Sequence, residues 1–416
     1  MLTQAPRGTK DVLPTESHQW QWLEGHIAAV CKAFGYREIR TPVFEHTELF
    51  ERGVGDTTDV VQKEMYTFDD KGGRSITLRP EGTASVGRAY LEHNLNAGIQ
   101  PCKLFYEISC YRYEKPQAGR LREFHQFGAE VYGSAHPSID AEVISLAMAL
   151  LNRVGLSELT LNINSIGCPK CRKAYLDRLR DYLSDHRDTL CETCRTRLEK
   201  NPMRALDCKV PSCGDIVHNA PMMTDFLCEE CQTHFDQVQA YLKEMGIPYQ
   251  IDKSIVRGLD YYTKTVFEIK SNGIGAQSTV CGGGRYDGLI EDLGGAPTPG
   301  VGFGMGLERL LLILEETGKL PPEPDPQDLF VISMGERADL YASRLCHKLR
   351  SMGISCERDH MGKSVKAQMK TANRLGARYV VVIGDTELDT DTAKLKTMET
   401  GEEKEISLTE LLERGL

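Results

Sequence analysis

The chain has 416 residues, a length that suggests two or three domains. Its composition is typical of a soluble globular protein, with 40% hydrophobic and 26% charged residues, and no apolar run reaches the roughly 18 residues of a membrane-spanning helix. The net charge of −10 excludes a protein that coats nucleic acid through an overall positive charge, but a local basic groove is compatible with it. Because the start, MLTQAPRGTKDVLP, has no apolar core of a secretory signal, we expect a cytoplasmic protein with no membrane contact.

The first 165 residues alternate between predicted helices and strands. The predicted elements are a helix from a Thr15 or Ser17 cap to about Phe34, a strand Arg37–Phe44, a short helix Glu48–Arg52, strands Met65–Phe68 and Ser75–Leu78, a helix ending near Asn94, a helix Asp140–Arg153 capped by Ser138, and a strand Leu159–Ile163.

Two further strands, Lys103–Glu114 and Glu123–Tyr132, are predicted on either side of a long cationic loop, Lys115–Arg122. An ordinary hairpin closes in two to five residues, so this longer loop needs a functional reason. Charged and polar residues interrupt both strands, which indicates either a solvated sheet face or a polar pocket. The interrupting residues are Arg112, Glu114, Glu123, His125, Gln126 and Glu130.

The segment of residues 168–240 predicts a mainly helical insertion that is rich in cysteine. Eight of the fourteen cysteines of the chain lie there, and six of them form three CxxC pairs. In a reducing compartment such pairs indicate structural zinc more readily than disulfides, although a cysteine-rich region without metal is the alternative. The candidate zinc ligands are Cys168, Cys171, Cys191 and Cys194.

Strand character returns after the insertion. Short strands are predicted near Tyr249–Ile251, at Val266–Ile269 and at Ser278–Cys281, and a glycine-rich turn at Gly282–Tyr286. Four glycines alternate from Gly300 to Gly306, before a helix that begins near Leu307. Alternate glycines leave one strand face without side chains, so we expect a ligand to lie flat against it.

The proline-rich segment of residues 321–327 predicts a linker between a catalytic domain, residues 1–320, and a small α/β domain, residues 328–416. The second domain alternates strands and helices, with strands that we expect to be parallel. Its Gly362-Lys363-Ser364 is not a phosphate loop, because Glu357 stands where the first glycine belongs. A helix is predicted at Val365–Leu375, and the cations Lys363, Lys366, Lys370 and Arg374 recur at helical spacing, which indicates either a solvated face or a phosphate contact.

Three stretches are candidate sites. In Arg79–Thr83, Glu81 and Thr83 either grip an ammonium group or cap a helix. On the paired strands, Arg112 with Arg120 or Arg122 suits phosphate, and Phe124 could stack a base on the face that also carries Gln126 and Glu130. The third stretch, RGLDYYT from Arg257 to Thr263, is either a site or a hairpin with ordinary aromatic packing.

Arg309 follows at the start of a helix, where a cation opposes the helix dipole, and this position is more natural if an anion lies opposite. The sequence contains no evident nucleophile with a base, no Walker loop and no dinucleotide-binding fingerprint. Several arginines on an antiparallel sheet fit ATP that is held by side chains, in a reaction that relies on positioning and charge neutralisation.

These stretches together resemble the bacterial type of histidyl-tRNA synthetase, a class II aminoacyl-tRNA synthetase, over essentially the whole chain. The segment Phe105–Tyr132 resembles class II motif 2, Gly300–Leu311 resembles motif 3, and Thr41-Pro42 with the preceding helix resembles motif 1. The stretches Leu78–Thr83 and Arg257–Thr263 resemble the two that are particular to histidyl enzymes, and RGLDYYT is the most specific string.

The resemblance implies an α+β fold: an antiparallel catalytic sheet flanked by helices, with the helical insertion, and a C-terminal α/β anticodon-binding domain. It implies a role for each candidate residue. Arg112, Arg120, Phe124 and Arg309 would bind ATP; Glu81, Thr83, Gln126, Glu130, Tyr261 and Tyr262 would bind histidine; Arg257 and Arg112 would act at the α-phosphate.

The implied reaction joins L-histidine to the 3′ end of tRNA-His through histidyl-adenylate, with Mg-ATP as substrate and a homodimer as the working unit. The alternative is a non-catalytic relative that regulates ATP phosphoribosyltransferase; such paralogues generally lack the anticodon domain that residues 328–416 predict here. Lys115 stands where the family often has arginine, and the insertion cysteines are not a general family feature.

Overall fold

The computed structural model describes residues 3–55, 58–208, 210–252, 254–255, 259–271 and 279–416. Two compact units are formed, Met1–Pro321 and Pro322–Leu416. Among the described residues no helix is long and apolar enough to cross a lipid bilayer.

The helices lie in both units and in the cysteine-rich insertion. They are α1 Ser17–Ala33, α2 Thr47–Val54, α3 Thr83–Glu92, α4 Pro137–Arg153, α5 Pro169–Asp185, α6 Glu192–Lys200, α7 Pro211–His218, α8 Glu229–Glu244, α9 Leu289–Asp292, α10 Leu307–Glu316, α11 Glu336–Ser351, α12 Val365–Arg374, α13 Asp385–Thr390 and α14 Leu408–Arg414.

The strands form three sheets. They are β1 Arg37–Glu38, β2 Phe44–His46, β3 Tyr66–Asp69, β4 Ser75–Leu78, β5 Cys102–Tyr111, β6 Glu123–Tyr132, β7 Leu159–Ser165, β8 Gln250–Ile251, β9 Thr263–Ser271, β10 Thr279–Arg285, β11 Gly300–Gly306, β12 Leu329–Ser333, β13 Cys356–Arg358, β14 Tyr379–Ile383, β15 Thr392–Thr397 and β16 Glu403–Ser407.

The main sheet of the first unit has eight strands in the order β1-β5-β6-β11-β10-β9-β7-β8. Its pairs are antiparallel except for the two short outer strands, β1 and β8, which lie parallel to their neighbours. A second sheet, β2-β4-β3, lies in the same unit. The expected antiparallel catalytic sheet is therefore confirmed.

The two faces of the main sheet bury different kinds of residues, because successive side chains of a strand point to opposite faces. Phe105, Phe127 and Phe303 belong to the larger core, where helices α1, α4, α8 and α10 cover one face. Tyr106 and Tyr132 belong to a second core with α3 and α9 on the other face. The polar pocket described below lies on this second face.

The prediction of a glycine-rich turn at Gly282–Tyr286 is wrong, because Thr279–Arg285 forms the central strand β10. Gly283 pairs with Phe303 of β11 and Phe267 of β9, so it is hydrogen-bonded between two strands. A Cβ at Gly283 would lie 2.6 Å from the Phe303 Cβ, which leaves no room for a side chain. These glycines allow close strand packing instead of a reversal of the chain.

The predicted strand Arg37–Phe44 is two short strands in different sheets, β1 and β2. Between the two strands the backbone carbonyl groups are hydrogen-bonded to the Arg79 guanidinium and not to a neighbouring strand. Its Nη1 donates to the carbonyl oxygens of Thr41, at 2.7 Å, and Pro42, at 3.0 Å. The chain is thus fixed by a buried side chain at the proline where strand pairing stops.

Two predicted helix caps are also wrong. Helix α1 begins at Ser17 after Glu16, and neither Thr15 nor Ser17 caps it. Helix α4 begins at Pro137, and the His136 side chain, not Ser138, accepts the capping hydrogen bond from the Ser138 N–H. Proline fits the first helical turn because that turn leaves an N–H without an intrahelical partner.

The second unit contains a five-stranded sheet in the order β13-β12-β14-β15-β16. β12 is parallel to β13 and β14, as expected, whereas β15 and β16 add an antiparallel edge that the sequence did not predict. Two cores pack against this sheet, one with α11 and α14 and one with α12.

Candidate active site

The floor of the polar pocket is formed by strands β5, β6 and β11. The strand register places Glu130 opposite Gly302, and Gln126 opposite Gly306. A Cβ at Gly302 would collide with Glu130 Oε2, and one at Gly304 would collide with Gln126 Nε2. The glycines are therefore needed because side chains of β6 lie across them.

The expectation that a ligand lies flat along the whole glycine strand is wrong for three of the four glycines. The space above Gly300, Gly302 and Gly304 is filled by Tyr286, Glu130 and Gln126 respectively. A Cβ at Gly306 would have no described atom within 4 Å, so the strand is open at this end.

Glu130 is completely buried on β6 and accepts hydrogen bonds from three hydroxyl groups. The Thr83 hydroxyl donates at 2.7 Å, the Tyr106 hydroxyl at 3.0 Å, and the Tyr286 hydroxyl also donates. Burial raises the pKa of Glu130 to about 8, against the opposing effect of these hydrogen bonds. In the described part of the chain no lysine or arginine forms an ion pair with it.

Glu81 caps helix α3, which was one of the two interpretations that the sequence left open. Its carboxylate accepts from the backbone N–H groups of Thr83 and Ala84, both at 2.8 Å. Burial raises the pKa of Glu81, and the two N–H groups oppose that shift. Because Thr83 also donates to Glu130, one threonine links the two buried carboxyl groups.

The tyrosines of the RGLDYYT stretch form an aromatic wall of the pocket. Tyr261 and Tyr262 are both buried, and their ring centroids lie 4.6 Å apart. Tyr261 also contacts Tyr286 edge to face at 5.5 Å. Arg257, predicted to act at the α-phosphate, lies outside the described residues.

Gln126 connects the pocket floor to the start of α3. Its Oε1 accepts from the Gly82 N–H at 3.0 Å and from the Cys110 thiol at 3.6 Å. A Cβ at Gly82 would collide with the Tyr106 ring, so the turn before α3 sits directly on that tyrosine. The turn that carries Glu81 and Thr83 is therefore fixed against β5 and β6.

The predicted phosphate-binding cations line the open end of the same face. Arg112 donates through Nε to the Pro80 carbonyl at 2.7 Å, and its guanidinium carbon lies 5.3 Å from the Phe124 ring centroid. Arg120 forms an ion pair with Glu114 at 3.4 Å, and that carboxylate lies 3.9 Å from Arg112. Arg112, Arg120 and Phe124 thus form one group around the loop.

Arg309, in the first turn of α10, adjoins the loop between β5 and β6. Its Nη1 donates to the Thr279 carbonyl at 2.9 Å. A Cβ at Gly119 would lie 3.5 Å from the Arg309 Cα, so the loop packs on the start of the helix. Burial and the nearby Arg120 lower the pKa of Arg309, which indicates a position where an anion would be favourable.

Sequence reasoning missed Tyr106 and Tyr286, the two phenols that donate to Glu130. Tyr106 could have been found from strand alternation, because it is opposite Gly128 on the pocket face. His125 and Glu308 were also missed as a pair: the Glu308 carboxylate accepts from the His125 backbone N–H at 2.9 Å and lies 2.8 Å from His125 Nδ1. That hydrogen bond raises the pKa of His125.

The four candidate zinc ligands do not come together as one set. Cys168 and Cys171 lie with Cys228 and Cys231, whereas Cys191 and Cys194 lie with Cys208 and Cys213. The sequence shows adjacent CxxC pairs but not which pair meets which. The eight cysteines of the insertion therefore form two clusters of four.

An antiparallel sheet with an arginine-bearing strand pair, a long connecting loop and a glycine-rich strand that leads into a helix is the catalytic domain of a class II aminoacyl-tRNA synthetase. The family model described as histidyl-tRNA synthetase matches residues 8–310, and the one described as anticodon binding domain matches residues 328–414. The chain belongs to the histidyl-tRNA synthetase family, which confirms the resemblance drawn from its motifs.

Several similar proteins match essentially the whole chain. A histidine–tRNA ligase of Acetivibrio thermocellus is 58% identical over 414 residues, covering 100% of this chain and 99% of that protein. One of Thermoanaerobacter sp. is 59% identical with the same coverage. The apo histidyl-tRNA synthetase of S. aureus is 43% identical with a TM-score of 0.84, covering 99% of this chain and 98% of that one.

A solved structure from Bacillus halodurans, described as an ATP phosphoribosyltransferase regulatory subunit/histidyl-tRNA synthetase, has a TM-score of 0.67 at 24% identity. It covers 92% of this chain and 99% of its own. At that identity the likeness shows the fold alone. The regulatory alternative is not favoured, because the whole-length relatives are histidine–tRNA ligases.

Proposed function

We propose that the pocket around Glu130 binds L-histidine while ATP lies on Arg112 and Phe124, in the two steps of the histidine–tRNA ligation that is characteristic of the family. The histidine carboxylate attacks the α-phosphorus of Mg-ATP to give histidyl-adenylate and pyrophosphate. The 3′-terminal ribose of tRNA-His then takes the histidyl group and AMP leaves. Since the substrates supply both nucleophiles, the protein has to position them and neutralise charge.

Glu130 is the observation that carries the proposal. An ionised carboxylate offers about four lone-pair sites, and the described hydroxyl groups occupy three of them. The remaining site suits the N–H of an imidazole ring, and the tyrosine wall suits its flat faces. A buried carboxylate that is left without its donor rejects analogues that lack the N–H.

The other histidine contacts follow from the position of α3. Glu81 and Thr83 bind the ammonium group of the substrate, Tyr262 assists Glu130 at the imidazole, and Gln126 and Tyr261 complete the pocket. Because Glu81 also caps α3, the same carboxylate fixes the helix and attracts the cation. The raised pKa of Glu81 supports this role, since a neighbouring ammonium group would favour its ionised form.

ATP binding uses the open end of the sheet. Phe124 stacks on adenine, with Arg309 on the opposite side or at the γ-phosphate. Arg112 contacts the α-phosphate, Arg120 holds the pyrophosphate end, and Arg257 neutralises charge at the α-phosphate during adenylate formation. Arg120 would exchange its present ion pair with Glu114 for the triphosphate, which carries more negative charge.

The remaining partners follow from the family. The loop Lys115–Arg122 approaches the acceptor end of tRNA-His, and residues 328–416 bind the anticodon, with Lys366 and Lys370 as phosphate contacts. Lys115 gives a different acceptor contact from arginine, because lysine donates as a point charge instead of a planar fork. We further propose a homodimer that works in the cytoplasm.

Pyrophosphate–ATP exchange and tRNA charging test this function together. The purified full chain should catalyse exchange that depends on L-histidine and should charge tRNA-His, while L-proline and L-threonine should give background rates. A folded chain without exchange would refute the proposed ligase activity and support the alternative of a non-catalytic regulatory protein. Exchange without charging would refute only the assignment of the tRNA contacts.

A further inference from the structure

The eight cysteines of the insertion form two separate groups of four. The outer group is Cys168, Cys171, Cys228 and Cys231, and the inner group is Cys191, Cys194, Cys208 and Cys213. Within each group all four sulfur atoms lie within 4.8 Å of one another. The first cysteine pair meets the last, and the two middle pairs meet each other, so the inner group is nested inside the outer one.

The sulfur–sulfur distances fit four thiolates around one ion. Cys168 and Cys171 are 3.6 Å apart, Cys168 and Cys228 4.0 Å, and Cys191 and Cys208 3.8 Å. A tetrahedral zinc ion with Zn–S bonds of about 2.3 Å places its sulfur ligands about 3.8 Å apart. All fourteen cysteines are free, so none of these contacts is a disulfide.

Backbone N–H groups point at the sulfur atoms as they do around bound thiolates. Cys228 N–H donates to Cys171 Sγ at 3.1 Å, and Cys191 N–H donates to Cys213 Sγ at 3.3 Å. Cys168, Cys191 and Cys228 are the residues that precede α5, α6 and α8, and none of these helices has a side-chain cap. The cysteine pairs thus start the helices and direct their sulfur atoms inward.

We propose that each group binds one structural zinc ion through four thiolates, and that the outer zinc fixes the histidine-binding stretch through Arg172. Four thiolates so close together repel one another unless a cation lies between them, and four soft ligands with no open position are typical of structural zinc. The insertion core is small and rich in cysteine, and a metal supplies the stability that such a core lacks.

Residues next to three of the outer cysteines contact the end of the histidine-binding stretch. Arg172, which follows Cys171, donates through Nη2 to the Tyr262 carbonyl. Gly167, which precedes Cys168, accepts from the Lys264 N–H at 2.9 Å. Glu230, between Cys228 and Cys231, accepts from Lys264 Nζ at 2.9 Å. The outer group therefore holds β9 where the aromatic wall ends.

The inner group reaches the histidine-binding stretch less directly. Asn201, seven residues beyond Cys194, donates to Asp260 at a long 3.4 Å. Loss of the inner ion should loosen the insertion more than it displaces Tyr262. Arg172 is accordingly a positioning residue, and its proposed effect on catalysis rests on the proposed role of Tyr262 in histidine binding, whereas the zinc content does not.

Elemental analysis of the full chain after dialysis tests the metal. We expect about 2 equivalents of zinc per chain, about 1 in Cys228→Ser and about 1 in Cys208→Ser. Cobalt substitution should give thiolate-to-metal charge-transfer absorption that falls by half in each variant. Cys346→Ala is the matched control, because Cys346 contacts only one other described thiol, Cys356, and should retain about 2 equivalents. Less than about 0.2 equivalents, or iron in place of zinc, would overturn the proposal.

Histidine-dependent exchange tests the coupling. Arg172→Ala should keep both zinc ions, and its histidine KM should rise about 10-fold while the ATP KM stays within about twofold. Cys228→Ser should give the same rise, and Cys208→Ser a smaller one. An unchanged histidine KM in Arg172→Ala would overturn the coupling and leave the zinc count standing. Absence of exchange in the wild type would refute the proposed function instead.

Discussion

Two fully buried carboxyl groups of the same domain are held in opposite ways. Asp140 on α4 accepts hydrogen bonds from the Arg285 guanidinium, at 3.1 Å from Nε, and lies 3.4 Å from His234 Nε2. Glu130 accepts from hydroxyl groups alone among the described residues. Burial raises both pKa values, but Arg285 and His234 outweigh it and lower the pKa of Asp140 to about 2, whereas Glu130 rises to about 8.

This difference indicates that Asp140 has a structural role, whereas Glu130 is available to a ligand. Arg285 is fully buried and joins β10 to α4, so Asp140 completes its own ion pair within the fold. Hydroxyl groups solvate Glu130 without neutralising it, which makes the empty pocket unfavourable for the ionised form. A ligand that brings an N–H donor stabilises the ionised form of Glu130 and gains binding free energy there. Asp140 offers no such gain, because Arg285 already pairs with it.

The largest effect should come from removal of the structural charge. Asp140→Asn leaves the buried Arg285 without its main counterion, so we expect the free energy of unfolding to fall by about 3–5 kcal/mol in urea denaturation. Asp287→Asn is the control, because Asp287 pairs with the same arginine at 3.0 Å but is 28% exposed, and it should cost at most about 1 kcal/mol.

The Asp140 contribution also depends on pH with a known sign. Its folded pKa is depressed, so its stabilisation is present above the ordinary aspartate pKa of about 4 and is lost as the pH falls toward 2. Asp140→Asn should lose this part of the acid dependence. Equal free energies of unfolding for Asp140→Asn and Asp287→Asn would contradict the structural role assigned to Asp140.

A smaller effect on stability and a large effect on activity are expected at the ligand carboxylate. Glu130→Gln keeps the shape but removes the charge, and histidine-dependent exchange should lose about 100-fold in kcat/KM, the value of a charge-assisted hydrogen bond. Glu107→Gln makes the same change on β5, where Glu107 lies next to Tyr106 and so points to the opposite face, and its pKa is likewise raised, to about 7, by burial. Its exchange rate should stay within about twofold; a similar loss in both variants would contradict the assignment.

The smallest effect should arise at the nucleotide end. Phe124→Leu removes the ring under Arg112 and the proposed adenine stack, so the ATP KM should rise about 5-fold with the histidine KM unchanged. Steady-state exchange at varied ATP measures it. A rise confined to the histidine KM would show that Phe124 belongs to the other half of the pocket.

The sequence predicted elements whose signals are local. The paired strands around Lys115–Arg122, the alternating glycines of β11 and the α/β pattern after the linker each follow from neighbouring residues. The period of two also put Phe124, Gln126 and Glu130 on one face, as the register has them. The prediction of a turn at Gly282 was wrong because glycine also occurs where neighbouring strands leave no room for a side chain.

Long-range partners could not be predicted from the residues alone. Asp140 and Arg285 are 145 positions apart, and nothing in either local sequence indicates the other. The nesting of the cysteine pairs depends in the same way on how α5 and α8 meet. Glu81 and its capping of α3 were among the predicted possibilities, but the link from Thr83 to Glu130 required the fold.

Proton release on histidine binding tests the central claim most directly. With a pKa of about 8, Glu130 is mostly protonated in the free enzyme at pH 7. Neutral imidazole, the main form of free histidine at this pH, donates its N–H to the ionised carboxylate, so the Glu130 proton leaves to the buffer. Titration calorimetry at pH 7 in buffers of different ionisation enthalpy should show release of close to one proton per site, decreasing toward pH 9 and absent in Glu130→Gln. Binding at pH 7 without proton release would contradict the account.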